Sequence, residues 1–360
     1  MYELEIAQEC LNCIIQKNSS QNDFEKLLEE DFLTLKLEQK SVYLYELLNG
    51  LMRCEIAPQI IVRLYNSLMK LDLYNRDNVT VASTKNDIVL ECTGSGKKPN
   101  KTLNISTPSI ITAVAAGAKI IKKGSGATSS IIGSADLMYE LGFQEIESER
   151  SVVDMLNSTG FTFVNIEKVI PVFNSVYNGH FFKPHILSYI LAANVTSLRG
   201  NKIVYGLSDV NVQKSCDCLN LSNKDCDITV YSSTDNGVDY YDELIGTGTC
   251  SVVRKKRNIA STFMTDYTLE LASAKKVAAA STRTNSIDAV INALKYQDNL
   301  DYCEIICSNA GFYLLEAEIV EDIDEGKKMA RDCLYSGKAY KKMCEIIEFS
   351  GGSLVCYGRN

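Results

Sequence analysis

The chain has 360 residues, 46% of them hydrophobic and 23% charged, with 37 Lys and Arg against 45 Asp and Glu and a net charge of −8. This length suggests about two domains of ordinary globular composition, with enough chain to bury a core without staples. The acidic balance argues against a protein built around a basic nucleic-acid surface, but leaves room for a local cationic pocket. No apolar run reaches the roughly 18 residues of a membrane span. The longest, Ile110–Ile121, is interrupted by Thr112 and Lys119. The start, MYELEIAQE, has no basic stretch ahead of an apolar one, so it does not read as a signal peptide and the chain is expected in the cytoplasm. Its 13 cysteines, an odd number that includes a Cys10–Cys13 pair, are expected as reduced, buried thiols rather than a zinc site. The two histidines, His180 and His185, stand in no nucleophile-elbow context.

In chain order, residues 1–75 read as helix, with Ile60, Ile61, Leu64, Leu68 and Leu71 at helical spacing after Pro58, which suits a first helical turn. Short β-rich runs follow: Asp87–Thr93, Ala118–Ile121, Phe161–Asn165, Lys202–Leu207, Asp227–Ser232 and Glu304–Ser308. Helical patterns separate several of them, which predicts an α/β fold with a mostly parallel central sheet beside a small helical domain. The apolar helical segment His185–Asn194 follows Pro184 between two strand runs. It is expected to return to the helical domain, so that 1–75 and about 180–200 form one unit, and 76–179 with 201–360 the other. The tail Asp322–Phe349 reads as amphipathic helix broken near Gly337. Arg254–Arg257, the run RKKR, reads as a solvated turn.

The chemistry concentrates between Cys92 and Gly142. After the first strand run, Gly94-Ser95-Gly96-Lys97-Lys98 leads towards Asn104-Ile105-Ser106-Thr107-Pro108. Glycines bring backbone N–H groups close to a ligand, Lys97, Lys98 and Lys101 add cations, and a helix start supplies a positive dipole. Thr107 is expected as its N-cap and Pro108 as its first residue. The next strand run repeats the pattern: Lys122-Lys123-Gly124-Ser125-Gly126 enters a helix expected to be capped by Ser134. Two such junctions point to a polyphosphorylated ligand. Asp242-Glu243 could hold the divalent cation that a diphosphate brings, and is expected in an exposed cleft.

These motifs resemble those of anthranilate phosphoribosyltransferase and the wider glycosyltransferase family that includes pyrimidine nucleoside phosphorylases. The family's first loop, roughly G-T-G-G-D-G-x-x-T-F-N-I-S-T, is similar at equal spacing to Gly94–Thr107. Its second, roughly K-H-G-N-R-S-V-S-S-x-x-G-S-A-D, is similar to Lys122–Asp136, and its D-E-L to Asp242-Glu243-Leu244. A C-terminal signature, Ser308–Glu318 followed by Glu325–Ala339, looks similar too, so that the resemblance covers about residues 87–345. It implies a homodimeric phosphoribosyltransferase that releases pyrophosphate from phosphoribosyl pyrophosphate. Gly94, Gly96, Lys98, Thr102, Asn104, Ser106, Thr107, Lys122, Lys123, Gly124, Ser125, Ser129, Ser130 and Ser134 would bind substrate, and Ser106, Asp242 and Glu243 magnesium. Two departures stand out: Lys98 replaces the first loop's acid, and Lys123, Ser125 and Gly126 replace the His, Asn and Arg of the second. In the family the His and Asn positions face the anthranilate. The arginine that meets the anthranilate carboxylate has no clear counterpart around Lys183 and Arg199. An acceptor other than anthranilate is therefore expected. A nucleoside phosphorylase, or a non-catalytic nucleic-acid-binding relative, is the alternative reading.

Overall fold

Apolar residues at helical spacing make the N-terminal region a set of packed helices. The computed structural model describes residues 2–15, 23–82, 87–127, 131–146, 148–177, 180–278 and 282–355. It places α1 over Tyr2–Ile15, α2 over Asp23–Leu27, α3 over Leu37–Leu51 and α4 over Pro58–Met69. Pro58 takes the first position of α4, where its missing N–H has no helical partner to lose. Ile61, Leu64 and Leu68 bury the face that α4 turns inward.

A two-stranded parallel ribbon joins β1 (Thr80–Val81) to β5 (Leu198–Arg199). Between them in the chain come β2 (Val89–Gly94), α5 (Ser106–Ala115), β3 (Lys119–Gly124), α6 (Ser134–Glu140), α7 (Glu149–Thr159) and β4 (Phe161–Asn165). Next are α8 (Ile166–Val169), α9 (Pro171–Tyr177) and α10 (Leu191–Asn194). The remainder is β6 (Lys202–Gly206), α11 (Val212–Ser222), β7 (Asp227–Thr234), β8 (Tyr240–Tyr241), β9 (Thr247–Lys255), β10 (Phe263–Glu270), α12 (Arg283–Tyr296), α13 (Leu300–Glu316), α14 (Ile323–Tyr335) and α15 (Lys338–Phe349).

The main sheet runs β10-β9-β7-β6-β2-β3-β4, with β8 added to β7. The five strands from β7 to β4 are parallel, whereas β8, β9 and β10 pair antiparallel. Successive residues of a strand face opposite sides. Ile203 and Tyr205 join the apolar cluster of the N-terminal helices, while Val204 joins the cluster under α5, α13 and α15. Ile186, Leu187, Ile190 and Leu191 pack in that same N-terminal cluster.

Two local expectations are corrected. Glu304–Ser308 is not a strand but the middle of α13, a helix with Cys303, Ile305, Ile306, Cys307 and Ala310 all fully buried. A helix buried on every side loses its amphipathic signature, and a short apolar run within it looks like a strand. Arg254 and Lys255 belong to β9, where Arg254 pairs with the buried Glu316, so only Lys256 and Arg257 stand beyond the strand in the expected turn. No helix among the described residues is long and apolar enough to cross a membrane, and every described cysteine is a free thiol.

Candidate active site at the sheet's carboxyl edge

The chain leaves β2 for β3 and β4 on one side and returns through β6 and β7 on the other, so strand order reverses beside β2. Open α/β sheets bind ligands in the crevice at such a point, beyond the carboxyl ends of the strands. Both glycine loops leave from there: Gly94–Lys98 follows β2, and Gly124–Gly126 follows β3. They line a cavity of about 190 Å³ together with Thr102, Asn104, Ser106, Lys122, Lys123, Ser134, Asp242 and Glu243. Thr107 lies behind this lining, and Ser129 and Ser130 fall outside the described residues. Lys101 is exposed and lines no part of the cavity.

The helix starts differ from expectation. α5 begins at Ser106, with Pro108 in its first turn, and the Asn104 side chain accepts the Thr107 N–H at 3.1 Å. Thr107 therefore sits inside the first turn, its buried hydroxyl without a partner among the described residues. α6 begins at Ser134 with Gly133 as its N-cap. Here Asp136 reaches back and accepts the N–H groups of Gly133 and Ala127 at 2.9 and 2.8 Å. Neither N–H belongs to the free first turn of α6, since Gly133 is its cap and Ala127 a loop residue, so Asp136 pins the loop to the helix start. The second loop is thus closed partly by its own acid, and the first turn of α5 is capped by Asn104.

Asp242 and Glu243 are buried rather than exposed as expected, because the chain around them packs tightly against β2 and β6. A Cβ at Gly94 would fall 2.3 Å from Asp242 Oδ2, and one at Gly206 2.0 Å from the Asp242 carbonyl oxygen. Only glycine permits this approach. The Gly96 N–H donates to Asp242 Oδ2 at 2.8 Å, while the buried Oδ1 meets no hydrogen-bond donor among the described residues. Lys98 Nζ lies 2.8 and 2.7 Å from the two Glu243 oxygens, 3.1 Å from Thr102 Oγ1 and 3.9 Å from Asp242 Oδ1. Burial and the Asp242 charge push the Glu243 carboxyl up, against the pull of Lys98. Burial pulls Lys98 down, but Glu243 and Asp242 outweigh it and hold the ammonium charged.

The free oxygen of Asp242, the Glu243 carboxylate and the Ser106 hydroxyl are hard donors that suit magnesium. Among the described residues no three acids, histidines or cysteines gather to cage a metal. A magnesium ion here would be shared with the oxygens of a bound diphosphate, the usual arrangement for that ion. Lys122 Nζ lies 3.3 Å from Ser106 Oγ, and burial pulls it down to about 8.

Lys123 lies beside the cavity but its ammonium turns away from it. It pairs with the buried Glu91 at 3.0 Å and also donates to the Ala193 carbonyl. Arg76 binds the other Glu91 oxygen at 2.5 Å, and the Gly200 N–H donates to it at 3.0 Å. Burial pushes Glu91 up, but Arg76 and Lys123 outweigh it and hold the carboxyl below the ordinary range. Lys123 is therefore part of a buried ion triad and offers no charge to a ligand.

Sequence reasoning passed over one wall of the site. Ile166, Ile170, Phe173, Tyr177, Leu191 and Ala192 line the cavity from the helical side, and Ser188 lies among them. Lys97, noted only as one cation among three, runs to this wall. Its position was the available signal: it stands where the resembling motif has a glycine.

Comparison with known proteins agrees with this geometry. Residues 86–340 match the glycosyl transferase family, a/b domain. The chain is 27% identical to the anthranilate phosphoribosyltransferase of Pyrobaculum islandicum over 276 residues, covering 72% of this chain and 78% of that protein. It is also 27% identical to the anthranilate phosphoribosyltransferase of Caldanaerobacter subterraneus, covering 76% and 80%. Among solved structures, anthranilate phosphoribosyltransferase from Thermus thermophilus superposes with a TM-score of 0.71 at 18% identity, over 95% of this chain and 99% of that one. The Saccharomyces cerevisiae enzyme in complex with phosphoribosyl pyrophosphate and magnesium gives 0.67 at 17% identity, over 97% and 93%. With two ordered loop motifs, their meeting point at the strand-order reversal and a family match over most of its length, the chain belongs to the glycosyl transferase family and is an enzyme of that class.

Proposed function

We propose that the protein transfers phosphoribose from phosphoribosyl pyrophosphate to an acceptor other than anthranilate, releasing pyrophosphate. The observation that carries this reading is the meeting of the β2 and β3 loops with Ser106, Lys122, Asp242 and Glu243 on one cavity. Curated relatives named anthranilate phosphoribosyltransferase support the donor and the reaction class. In this reading Gly94, Gly96, Thr102, Asn104, Ser106, Lys122, Gly124, Ser125 and Ser134 surround the sugar phosphate and its diphosphate. Asp242 and Glu243, with Ser106, would hold magnesium, which would supply positive charge beside the diphosphate.

The chain's own work is electrostatic and positional. The bond from the anomeric carbon to the diphosphate oxygen breaks, and its electron pair leaves with the diphosphate. The Lys122 ammonium and the positive end of α5 face that developing charge and need no reorganisation to do so. The acceptor's heteroatom closes on the same carbon from the helical wall and gives its proton to solvent. Holding the two reactants together removes most of the entropic barrier.

The donor half is tested by thermal unfolding. Phosphoribosyl pyrophosphate with magnesium at about a hundred times its dissociation constant is expected to add roughly 2.7 kcal/mol of stability. An unchanged melting temperature at millimolar ligand would sink the donor assignment.

The acceptor half rests on Lys123, Ser125 and Gly126, which stand at the resembling motif's His, Asn and Arg. Lys123 in particular is committed to Glu91. A site that has lost the polar groups built for one substrate loses several kcal/mol towards it. Anthranilate offered in competition with other aromatic amines, phenols and nucleobases is expected to give little product by mass spectrometry. Turnover of anthranilate at rates ordinary for a biosynthetic enzyme would overturn this part.

A further inference from the structure

α13 contributes none of the described residues that line the cavity, yet it holds the chain on both sides of it. The buried Asn309 side chain accepts the Leu244 N–H at 2.9 Å and donates to the Leu244 carbonyl at 2.9 Å. A further bond from its Nδ2 to the Ile305 carbonyl, also 2.9 Å, ties the amide to its own helix. Leu244 directly follows the acidic pair. Ser233 Oγ donates to the Glu243 carbonyl at 2.6 Å, so the peptide between Glu243 and Leu244 is held at its C=O by β7 and at its N–H by α13. A planar peptide bonded at both ends cannot turn freely, and the Glu243 side chain starts from a fixed point.

Tyr302 does the same on the other side. It is fully buried, and its hydroxyl donates to the Asn104 carbonyl at 2.5 Å. The Asn104 side chain in turn accepts the Thr107 N–H, and Ser106 stands at the start of that helical turn. Tyr302 and Asn309 are seven positions apart. That spacing puts them on one face of α13, two turns or about 10 Å apart along its axis. One face of one helix therefore holds the approach to Ser106 at one end and the Asp242–Glu243 segment at the other.

The helix is itself fixed from behind. A Cβ at Gly311 would fall 2.5 Å from the Lys327 backbone nitrogen, and one at Gly326 2.6 Å from the Gly311 carbonyl oxygen. α13 and α14 thus meet backbone to backbone at a pair of glycines. α13 also packs along α5, and Ile305, Ile306, Phe312 and Leu314 are fully buried. Packing at this density yields little, so the helix acts as a rigid bar. Asn309, Gly311 and Gly326 all fall in the two C-terminal stretches, Ser308–Glu318 and Glu325–Ala339, for which the sequence offered no site residue.

Magnesium demands near-octahedral geometry and tolerates little error in the placing of its ligands. We propose that α13 sets the separation between the Ser106 hydroxyl and the Asp242 and Glu243 carboxylates, with Tyr302 and Asn309 as the positioning residues at its two ends. Neither lines the cavity. Each acts through backbone, Tyr302 through the Asn104 carbonyl and Asn309 through the Leu244 peptide groups. The inference rests on the reading of this cavity as a magnesium and diphosphate site.

The test titrates inorganic pyrophosphate calorimetrically into the full-length protein, with and without magnesium, well below each variant's melting temperature. Wild type is expected to bind pyrophosphate more tightly when magnesium is present. Tyr302→Phe removes one hydroxyl and keeps the ring in the core. It is expected to lose about ten-fold of the affinity measured with magnesium, the order of loss when a group that orients a metal ligand is removed. Its affinity without magnesium should be unchanged. Asn309→Leu, close in size and without the amide, is expected to show the same loss together with a larger fall in melting temperature. Ile306→Val loosens the same helix without touching either contact, and is expected to keep the full magnesium effect. A Tyr302→Phe protein that keeps it too overturns the proposal, even where Asn309→Leu fails to fold, and leaves the diphosphate reading standing. An equal loss in Ile306→Val also overturns it, since any weakening of α13 would then suffice. If wild type gains nothing from magnesium, the diphosphate reading falls and this proposal with it.

Discussion

Replacing Glu91 by Gln is expected to destabilise the protein by about 3–5 kcal/mol, the cost of leaving buried charge unpaired. Glu91 is fully buried and answers two cations from distant parts of the chain, Arg76 at 2.5 Å and Lys123 at 3.0 Å. Its oxygens also accept the Gly200 N–H, while Arg76 donates to the Asn194 carbonyl at 3.1 Å. One carboxylate therefore ties β2 to the chain entering β1, to the end of β3 and to the segment between α10 and β6. The amide of Gln keeps the shape and one acceptor but removes the charge that both cations need. The measurement is the denaturant midpoint at an unchanged slope. A loss below about 1 kcal/mol would show that water reaches the triad and that the pairing contributes as little as a surface one.

The second large effect concerns the acidic pair. Asp242→Asn and Glu243→Gln are each expected to lower turnover by about 10² to 10³, the usual loss when one group that stabilises developing charge is removed. Their stabilities should differ. Asn at 242 can still accept the Gly96 N–H, so folding is little changed. Gln at 243 leaves Lys98 without its carboxylate in a site where that side chain is only 18% exposed. Glu243→Gln is therefore expected to be destabilised as well as inactive. Adding Lys98→Met should restore the stability and not the turnover, since it removes the orphaned cation without returning the carboxylate. If both single variants keep full activity, the pair takes no part in the reaction. If Glu243→Gln is as stable as wild type, the Lys98 contact does not hold this corner together.

Strand and helix existence was legible from the residues, because those signals are local. Phe161–Asn165, Lys202–Leu207 and Asp227–Ser232 are β-rich runs bounded by polar turns, and each is a strand of the parallel part of the sheet. The glycine loops were legible for the same reason: Gly94 to Lys98 and Gly124 to Gly126 follow strands, and the packing of Asp242 against Gly94 explains why a side chain is not tolerated there. What the residues could not convey was burial and partnership across the chain. Glu304–Ser308 has the composition of a strand but lies in α13, where Ile305 to Ser308 are all buried and leave no polar face in that run to mark a helix. Asp242 and Glu243 look like surface acids in one dimension and are buried in three, since Gly94 and Gly206 let the backbone close over them.

The lysines make the same point most sharply. In sequence Lys97 and Lys98 are adjacent, as are Lys122 and Lys123, and nothing local separates the members of either pair. Lys122 and Lys123 are neighbours in β3 and face opposite sides of the sheet, while Lys97 and Lys98 sit in a loop whose backbone is left-handed at Lys97, so each member meets a different part of the protein. Lys123 turns to Glu91, thirty-two residues away, and Lys122 to Ser106; Lys98 turns to Glu243, 145 residues away, and Lys97 to His185, 88 residues away. The sequence by itself determined that cations would gather at two strand-to-helix loops. Which of those cations are neutralised within the fold, and which remain for a ligand, was decided only by the tertiary structure, because the free energy of a buried charge depends on the partner that folding brings to it.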